Sequence, residues 1–482
     1  MPDSIYGRRR WLALIVLCLG VVMIVLDSTV VTVALPLIRA DLGFSETSLV
    51  WLVNAYILTF GGFMLLGGRL GDLYGARRLF LMGTVGFTLA SMACGLATSQ
   101  VPLICARAVQ GLAGAVVDAV ALSLIMNMFT EAGERAKAMG VLGFVCSAGG
   151  SIGVLLGGVI TASFNWHWIF LINLPVGVLV YLLCLWLVPA APARSSSAGR
   201  LDLFGALTIT AALMLAVYAI VNGNEAGWSS KQSLGTFSAV VVLLAAFLLI
   251  ESRVRNPLVP LGLFRSRLLA VTNVAAVLSA SAMFASFFLT LYLQRVLGKS
   301  TLQVALTFLP ASLLGAVLAL GFSAKIVGRF GIKAPFAVGL LVAALGFALL
   351  AGAPVKGDVL TDVLPGMILL TIGAGVAFNP LTLAAMHGVA PKDYGLAAGL
   401  VNTSSMMGGA LGLAILASAA AAWTQKLSIS GVEPLVALNG GYHVAFAIGG
   451  VFAVMAAGLG FMWLPAGLAA RLGPQESAGS AP

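Results

Sequence analysis

Three ionisable residues, Asp27, Arg107 and Asp118, stand inside long apolar stretches of the sequence. A charge at the centre of a bilayer costs on the order of 3 kcal/mol even on lenient insertion scales, so residues of this kind are functional candidates by default. Asp27 lies 16 residues beyond Trp11, roughly 24 Å along a helix at about 1.5 Å per residue. Arg107 enters its own apolar stretch from the far side of the same layer, so the two can share a depth. Arg107 and Asp118 are 11 residues apart, which at about 100° per residue returns to one helix face. Gln110 lies beside that stripe, which is expected to face an aqueous cavity because lipid would not tolerate it. A carboxylate in a low-dielectric pathway can gain and lose a proton as its access alternates. Proton and cationic solute could then compete for Asp27 and Asp118, giving exchange. The alternatives are a structural Asp27–Arg107 pair, expensive to break whatever its role, and a packing hydrogen bond for Asp118.

The elements that position these residues are transmembrane helices. The chain of 482 residues is 60% hydrophobic and 9% charged, with a mean hydropathy of +1.07, a balance foreign to water-soluble domains. A bilayer core of roughly 30 Å takes about 20 apolar residues per helix. Fourteen such runs are expected, at 11–35, 49–66, 79–98, 101–126, 139–164, 168–188, 201–221, 234–250, 268–293, 304–324, 335–352, 360–386, 395–422 and 442–464. With the N-terminus inside, nineteen of the 26 Lys and Arg fall on the inner side and six on the outer. That asymmetry is the positive-inside pattern, and it predicts cytoplasmic termini in a bacterial-type inner membrane.

The net charge of +10 is spread over short loops, which suits anionic lipid and argues against a nucleic-acid face. The five cysteines fall inside runs without metal-ligand or paired spacing, so no metal site is expected. The first run is too long for a signal-peptide core. No phosphate loop or nucleophile elbow stands in a polar segment, which weighs against a membrane enzyme or receptor.

An internal repeat is visible. The stretch 69–77 (RLGDLYGAR) resembles 325–333 (KIVGRFGIK), and Gly149, Gly150 and Gly153 are matched by Gly408, Gly409 and Gly412, at offsets of 256 and 259 residues. Duplication divides the chain into an N-terminal six-helix bundle at 1–188, a linker with two additional helices at 189–267, and a C-terminal six-helix bundle at 268–482. Paired six-helix halves with a substrate site between them are a transporter architecture.

Four motifs give the chain a family likeness. The stretch 26–36 (LDSTVVTVALP), 67–78 (GGRLGDLYGARR), 107–111 (RAVQG) and the glycine series Gly143, Gly149, Gly150, Gly153, Gly157 and Gly158 resemble those of the fourteen-helix drug:proton antiporters of the major facilitator superfamily. Thr32 stands where that family has Asn, and Val154 stands in place of a proline. The stretch 166–175 (WHWIFLINLP) resembles the opening of the family's sixth helix, with His167 where Arg is common. The resemblance implies an all-α polytopic fold, two six-helix bundles plus two inserted central helices. It also implies proton coupling through Asp27 and Arg107, to which Asp118 is added here as a feature outside the motif. Gating would fall to Arg69, Asp72, Gly75, Arg77 and Arg78, with Asp72 and an arginine as a breakable latch, and to Gly149, Gly153 and Gly157.

By the same likeness the cavity is lined by the first, fourth, ninth and twelfth helices. Substrate-contact candidates are therefore Met23, Asp27, Gln110, Asp118, Asn273, Met283, Phe284, Phe287, Phe378 and Asn379, whose aromatic and thioether groups suit varied apolar cations. The expected activity is proton-coupled efflux of lipophilic, cationic compounds such as drugs, dyes and disinfectants. The partners are a small-molecule substrate, protons and the lipid bilayer, and no cofactor is expected beyond the proton gradient. The alternative is an exporter or proton-coupled importer of one metabolite or natural product. Dependence on an outer-compartment adaptor is left open by the sequence.

Overall fold

A computed structural model describes residues 2–129, 131–189, 202–254, 257–259, 261–318, 323–386 and 394–464. Most of the expected linker, 190–201, and the tail beyond 464 lie outside these residues. Within them the chain is a helical bundle. The first four spans are α1 (Pro2–Leu42), α2 (Glu46–Tyr74), α3 (Ala76–Gly95) and α4 (Gln100–Met128). The fifth is α5 (Ala132–Ser163), and a short α6 (Trp168–Leu171) leads into α7 (Asn173–Leu187) to complete the sixth. The inserted pair is α8 (Leu203–Ala226) and α9 (Lys231–Arg253).

The second half begins with α10 (Arg267–Met283), which continues through α11 (Ser286–Leu291) and a π-turn at Tyr292–Val296. Then come α12 (Thr301–Val317), α13 (Ser323–Phe330), α14 (Lys333–Leu350), α15 (Leu364–Met386), α16 (Tyr394–Ile429) and α17 (Pro434–Trp463). Among the described residues, twelve helices are long and apolar enough to cross a membrane, and Ile152–Ser163 and Thr301–Gly315 are shorter apolar helices within the other two expected spans. Among the described residues, the twelve with the two shorter helices make two six-helix bundles and an inserted pair, consistent with the fourteen expected spans.

Helices begin where a serine can take up the free N–H groups of the first turn. Ser45, Ser230, Ser266 and Ser300 open α2, α9, α10 and α12, each accepting from the backbone N–H three residues on, and each such cap contributes about 1 kcal/mol. Differences from the sequence expectation are local. The helix of α1 runs well beyond 11–35 at both ends and carries Pro36 near its end, because a helix need not stop where hydrocarbon does. The ninth span tightens at Phe284 and Ala285, where Ala285 N–H donates to Ala282 O at 3.0 Å and Phe287 N–H to Phe284 O at 3.0 Å.

The duplication has a spatial counterpart. In the first half α1 packs on α5, α3 on α4, and α7 on both α1 and α3; in the second, α10 packs on α16, α14 on α15, and α17 on both α10 and α14. Glycine is required where the paired backbones meet. A Cβ at Gly153 would overlap Thr29 Oγ1, and one at Gly412 would overlap Ser281. The two related loops also share a left-handed turn, at Gly75 (φ 92°) and Gly331 (φ 75°), which side chains resist. The halves meet along α2 with α16 and α5 with α12, and α8 lies against both α2 and α16, with α9 packed on α8.

Candidate functional site

The apolar interior of the first half encloses one polar cluster, assembled from α1, α3, α4 and α7. Arg107 Nη1 donates to Asp27 Oδ2 at 2.5 Å and to Gln110 Oε1 at 2.7 Å. The other carboxylate oxygen, Asp27 Oδ1, accepts from Gln110 Nε2 at 2.8 Å and from Asn173 Nδ2 at 2.9 Å. Ser91 Oγ accepts from Gln110 and Asn173, at 3.2 and 2.9 Å, and donates to Phe170 O at 2.9 Å. Arg107 Nε reaches Leu52 O at 3.2 Å. The guanidinium carbon lies 4.3 Å from the centre of the Tyr56 ring, an attraction to the face of the π-system.

Burial makes these bonds consequential. Asp27 is 2% exposed, Arg107 1% and Gln110 0%. Removing two charges from water costs several kcal/mol per ion, and mutual attraction repays it only when the remaining donors and acceptors are satisfied. Here each carboxylate oxygen has a donor. Protonating Asp27 would remove the negative charge and leave Arg107 as an uncompensated buried cation. The protonation state of one group is thereby tied to the geometry of four helices. The expected stripe on α4 is therefore not an open wall: Arg107 and Gln110 turn inward to α1, α2 and α3. Asp118, roughly 16 Å further along α4, is partly exposed.

Asp27 and Arg107 meet as their matched depth in the sequence implies, whereas nothing in the spacing of Asn173, Ser91 or Tyr56 marks them as members of the cluster. Asn173 belongs to the stretch 166–175, where the available signal is a lone amide opening a long apolar run. Ser91 offered only a small hydroxyl. The Tyr56 hydroxyl is buried with no hydrogen-bond partner among the described residues.

The substrate-contact candidates separate into two groups. Met23 is buried in the apolar core of the first half. Asn273 is held between α10 and α16, accepting from Ser404 Oγ at 2.7 Å and donating to Leu269 O at 2.8 Å. Phe287 is buried edge-on to Phe288. All three face packed interiors, because their own helix faces are turned to neighbouring helices. Met283 and Phe284 sit partly exposed at the tightened joint of the ninth span, Asn379 is partly exposed, and Phe378 is 68% exposed.

Of the gating candidates, Asp72 lies in the last turn of α2 with its side chain outside the described part of the structure. Arg69 donates to Pro257 O beyond the inserted pair, while Glu251 at the end of α9 accepts from Val259 N–H at 3.3 Å. Arg77 donates to Leu185 O at 2.6 Å, Arg78 is exposed, and Gly75 makes the turn. Gly149, Gly153 and Gly157 lie along α1, against Val25, Thr29 and Val30.

Two related helical halves in a membrane, meeting along paired helix seams, define a polytopic transporter. Residues 17–413 match the Major Facilitator Superfamily model, and the chain belongs to that superfamily. It is 39% identical to the puromycin resistance protein pur8 of Streptomyces alboniger over 92% of this chain and 89% of the relative. It is 38% identical to the cephamycin export protein CmcT of Amycolatopsis lactamdurans over 84% of each chain. The multidrug resistance protein Stp of Mycobacterium tuberculosis is 36% identical over 86% of this chain and 77% of its own. A crystal structure of the nucleoside transporter NupG superposes with a TM-score of 0.65 at 14% identity, covering 94% of this chain and 99% of that one, which shows the common fold. The chain is a multi-pass membrane transporter of small molecules, not an enzyme.

Proposed function

We propose that this transporter expels lipophilic, cationic organic compounds in exchange for protons, by alternating access between its two halves. The observation that carries this reading is the Asp27 carboxylate, buried and held by Arg107, Gln110 and Asn173. Such a group can accept a proton only if its surroundings rearrange, which is the linkage an exchanger needs. The export direction is supported by relatives named for resistance and export. The same reading gives Asp118 the recognition of the solute's positive charge. It makes the latch at Asp72 with Arg77 or Arg78 a gate. It divides the chain at 1–188, 189–267 and 268–482, and sets both termini in the cytoplasm. A single-compound exporter is the second reading, favoured by two relatives whose names carry one compound each, puromycin and cephamycin.

Proteoliposomes carrying the purified protein and a pH gradient test both. A fluorescent lipophilic cation should be transported while the gradient lasts and released when a protonophore dissipates it. Asp27→Asn should abolish gradient-driven transport while the protein still inserts and folds. Full transport by that variant would refute Asp27 as the coupling residue, and transport of one compound among many unrelated ones would select the narrower reading.

A further inference from the structure

Away from the Asp27 cluster, a lateral cavity of about 670 Å³ opens between α3 and α7 beside the Gly75 turn. That volume is within the roughly 300–1,000 Å³ typical of small-ligand sites. One end is cationic. Arg77 and Arg78 stand in the first turn of α3; the Arg77 guanidinium is anchored through Nη2 on Leu185 O, and its Nε is buried without a partner among the described residues. Arg78 is exposed. The helix they open has Gly75 at its cap and no side chain to meet its first N–H groups.

The rest of the cavity is apolar. Met82 and Val85 line it on α3, each exposed, and Tyr181 lines it on α7. From Arg78 to Val85 is roughly 10 Å along the helix axis, so the cavity changes from charged to apolar in the direction from the helix end towards the middle of the bilayer. No carboxylate is among the described lining residues. An occupant that suits both ends brings negative charge at one and hydrocarbon at the other, and it meets both arginines when the proposed Asp72 latch is open. A free inorganic anion would leave the apolar wall uncovered, and a zwitterionic lipid would present a cation to two arginines.

We propose that this cavity holds one anionic phospholipid, its phosphate on Arg77 and Arg78 and the start of an acyl chain along Met82 and Val85. Occupancy would tie the α2–α3 turn to the charge of the surrounding leaflet.

The full chain, purified in neutral detergent, would be titrated separately with phosphatidylglycerol, phosphatidylcholine and inorganic phosphate. Retained lipid is counted by native mass spectrometry, and thermal unfolding is followed in parallel. The expected result is one phosphatidylglycerol per chain held about tenfold more tightly than phosphatidylcholine, with no protection by inorganic phosphate. Arg77→Gln combined with Arg78→Gln should lose that preference, and Arg253→Gln, an exposed arginine elsewhere, should keep it. Val85→Trp fills the apolar wall without touching charge and should also reduce retention. Equal retention of the two lipids overturns the proposal, as does retention unchanged in both cavity variants. Protection by inorganic phosphate equal to that by phosphatidylglycerol would leave an anion site and overturn the lipid.

Discussion

At the scale of single residues, Asp27 and Arg107 are worth most as a pair. Removing either partner strands the other charge where water cannot reach it, at a cost of about 3–5 kcal/mol. A double-mutant cycle with Asp27→Asn and Arg107→Gln should therefore be strongly non-additive. The double variant should be at least about 2 kcal/mol more stable than the sum of the single losses, measured by reversible unfolding in mixed micelles. Additivity would mean that the contact carries no coupling. Asp118 belongs to a different experiment, since it is partly exposed. On the proposed role, Asp118→Asn should lower transport of cationic compounds while sparing neutral ones, in vesicles loaded with each. An unchanged profile would leave it a packing residue.

How much of this cluster was legible follows from the same physics. Charges in apolar runs announce themselves by their cost, so Asp27 and Arg107 could be matched by depth alone. The neutral donors Asn173 and Ser91 cost less to bury and are correspondingly silent. Which way Arg107 points was not legible, because 100° periodicity fixes a common face without saying whether a neighbouring helix covers it. The structure covers Arg107 and Gln110 and leaves Asp118 partly open on the same helix.

At the scale of elements, α5 shows what its glycines are for. Gly153 has no room for a Cβ beside Thr29, whereas nothing lies within 4 Å of a Cβ at Gly150. Gly150→Ala should then leave transport unchanged and stabilise α5 by up to about 1 kcal/mol through helix propensity. Gly153→Leu should separate α5 from α1, lowering both the melting temperature and transport. Equal behaviour of the two variants, by thermal unfolding and dye efflux, would show that the close approach does not matter. The fourteen spans were readable because about 20 apolar residues in sequence admit few other fates. The tightened joint at Phe284 was not: its ring packs so close to Gly409 of α16 that a Cβ there would overlap it, a contact across about 125 residues of sequence that spacing does not reveal.

At the scale of the whole molecule, motion between the halves is the issue. A Cβ at Gly158 of α5 would sit 2.5 Å from that of Ala305 on α12, close to the roughly 3.8 Å of a disulfide after slight separation. Gly158→Cys with Ala305→Cys should therefore cross-link under oxidant and stop transport, with activity restored by reductant. Efflux that continues in the fully cross-linked protein would mean that this seam need not part during the cycle.

The two flanks of the molecule are not alike. On one, α8 spans the junction of α2 and α16: Asn224 Nδ2 donates to Ser418 O at 2.7 Å, and a Cβ at Gly62 would collide with Thr210. On the other, α5 and α12 meet directly, so closely that Gly158 of α5 has no room for a side chain beside Ala305 of α12. One flank is thus bolted by a third helix laid over the seam, while the other is closed by the fit of two bare backbones, like a zip without a flap.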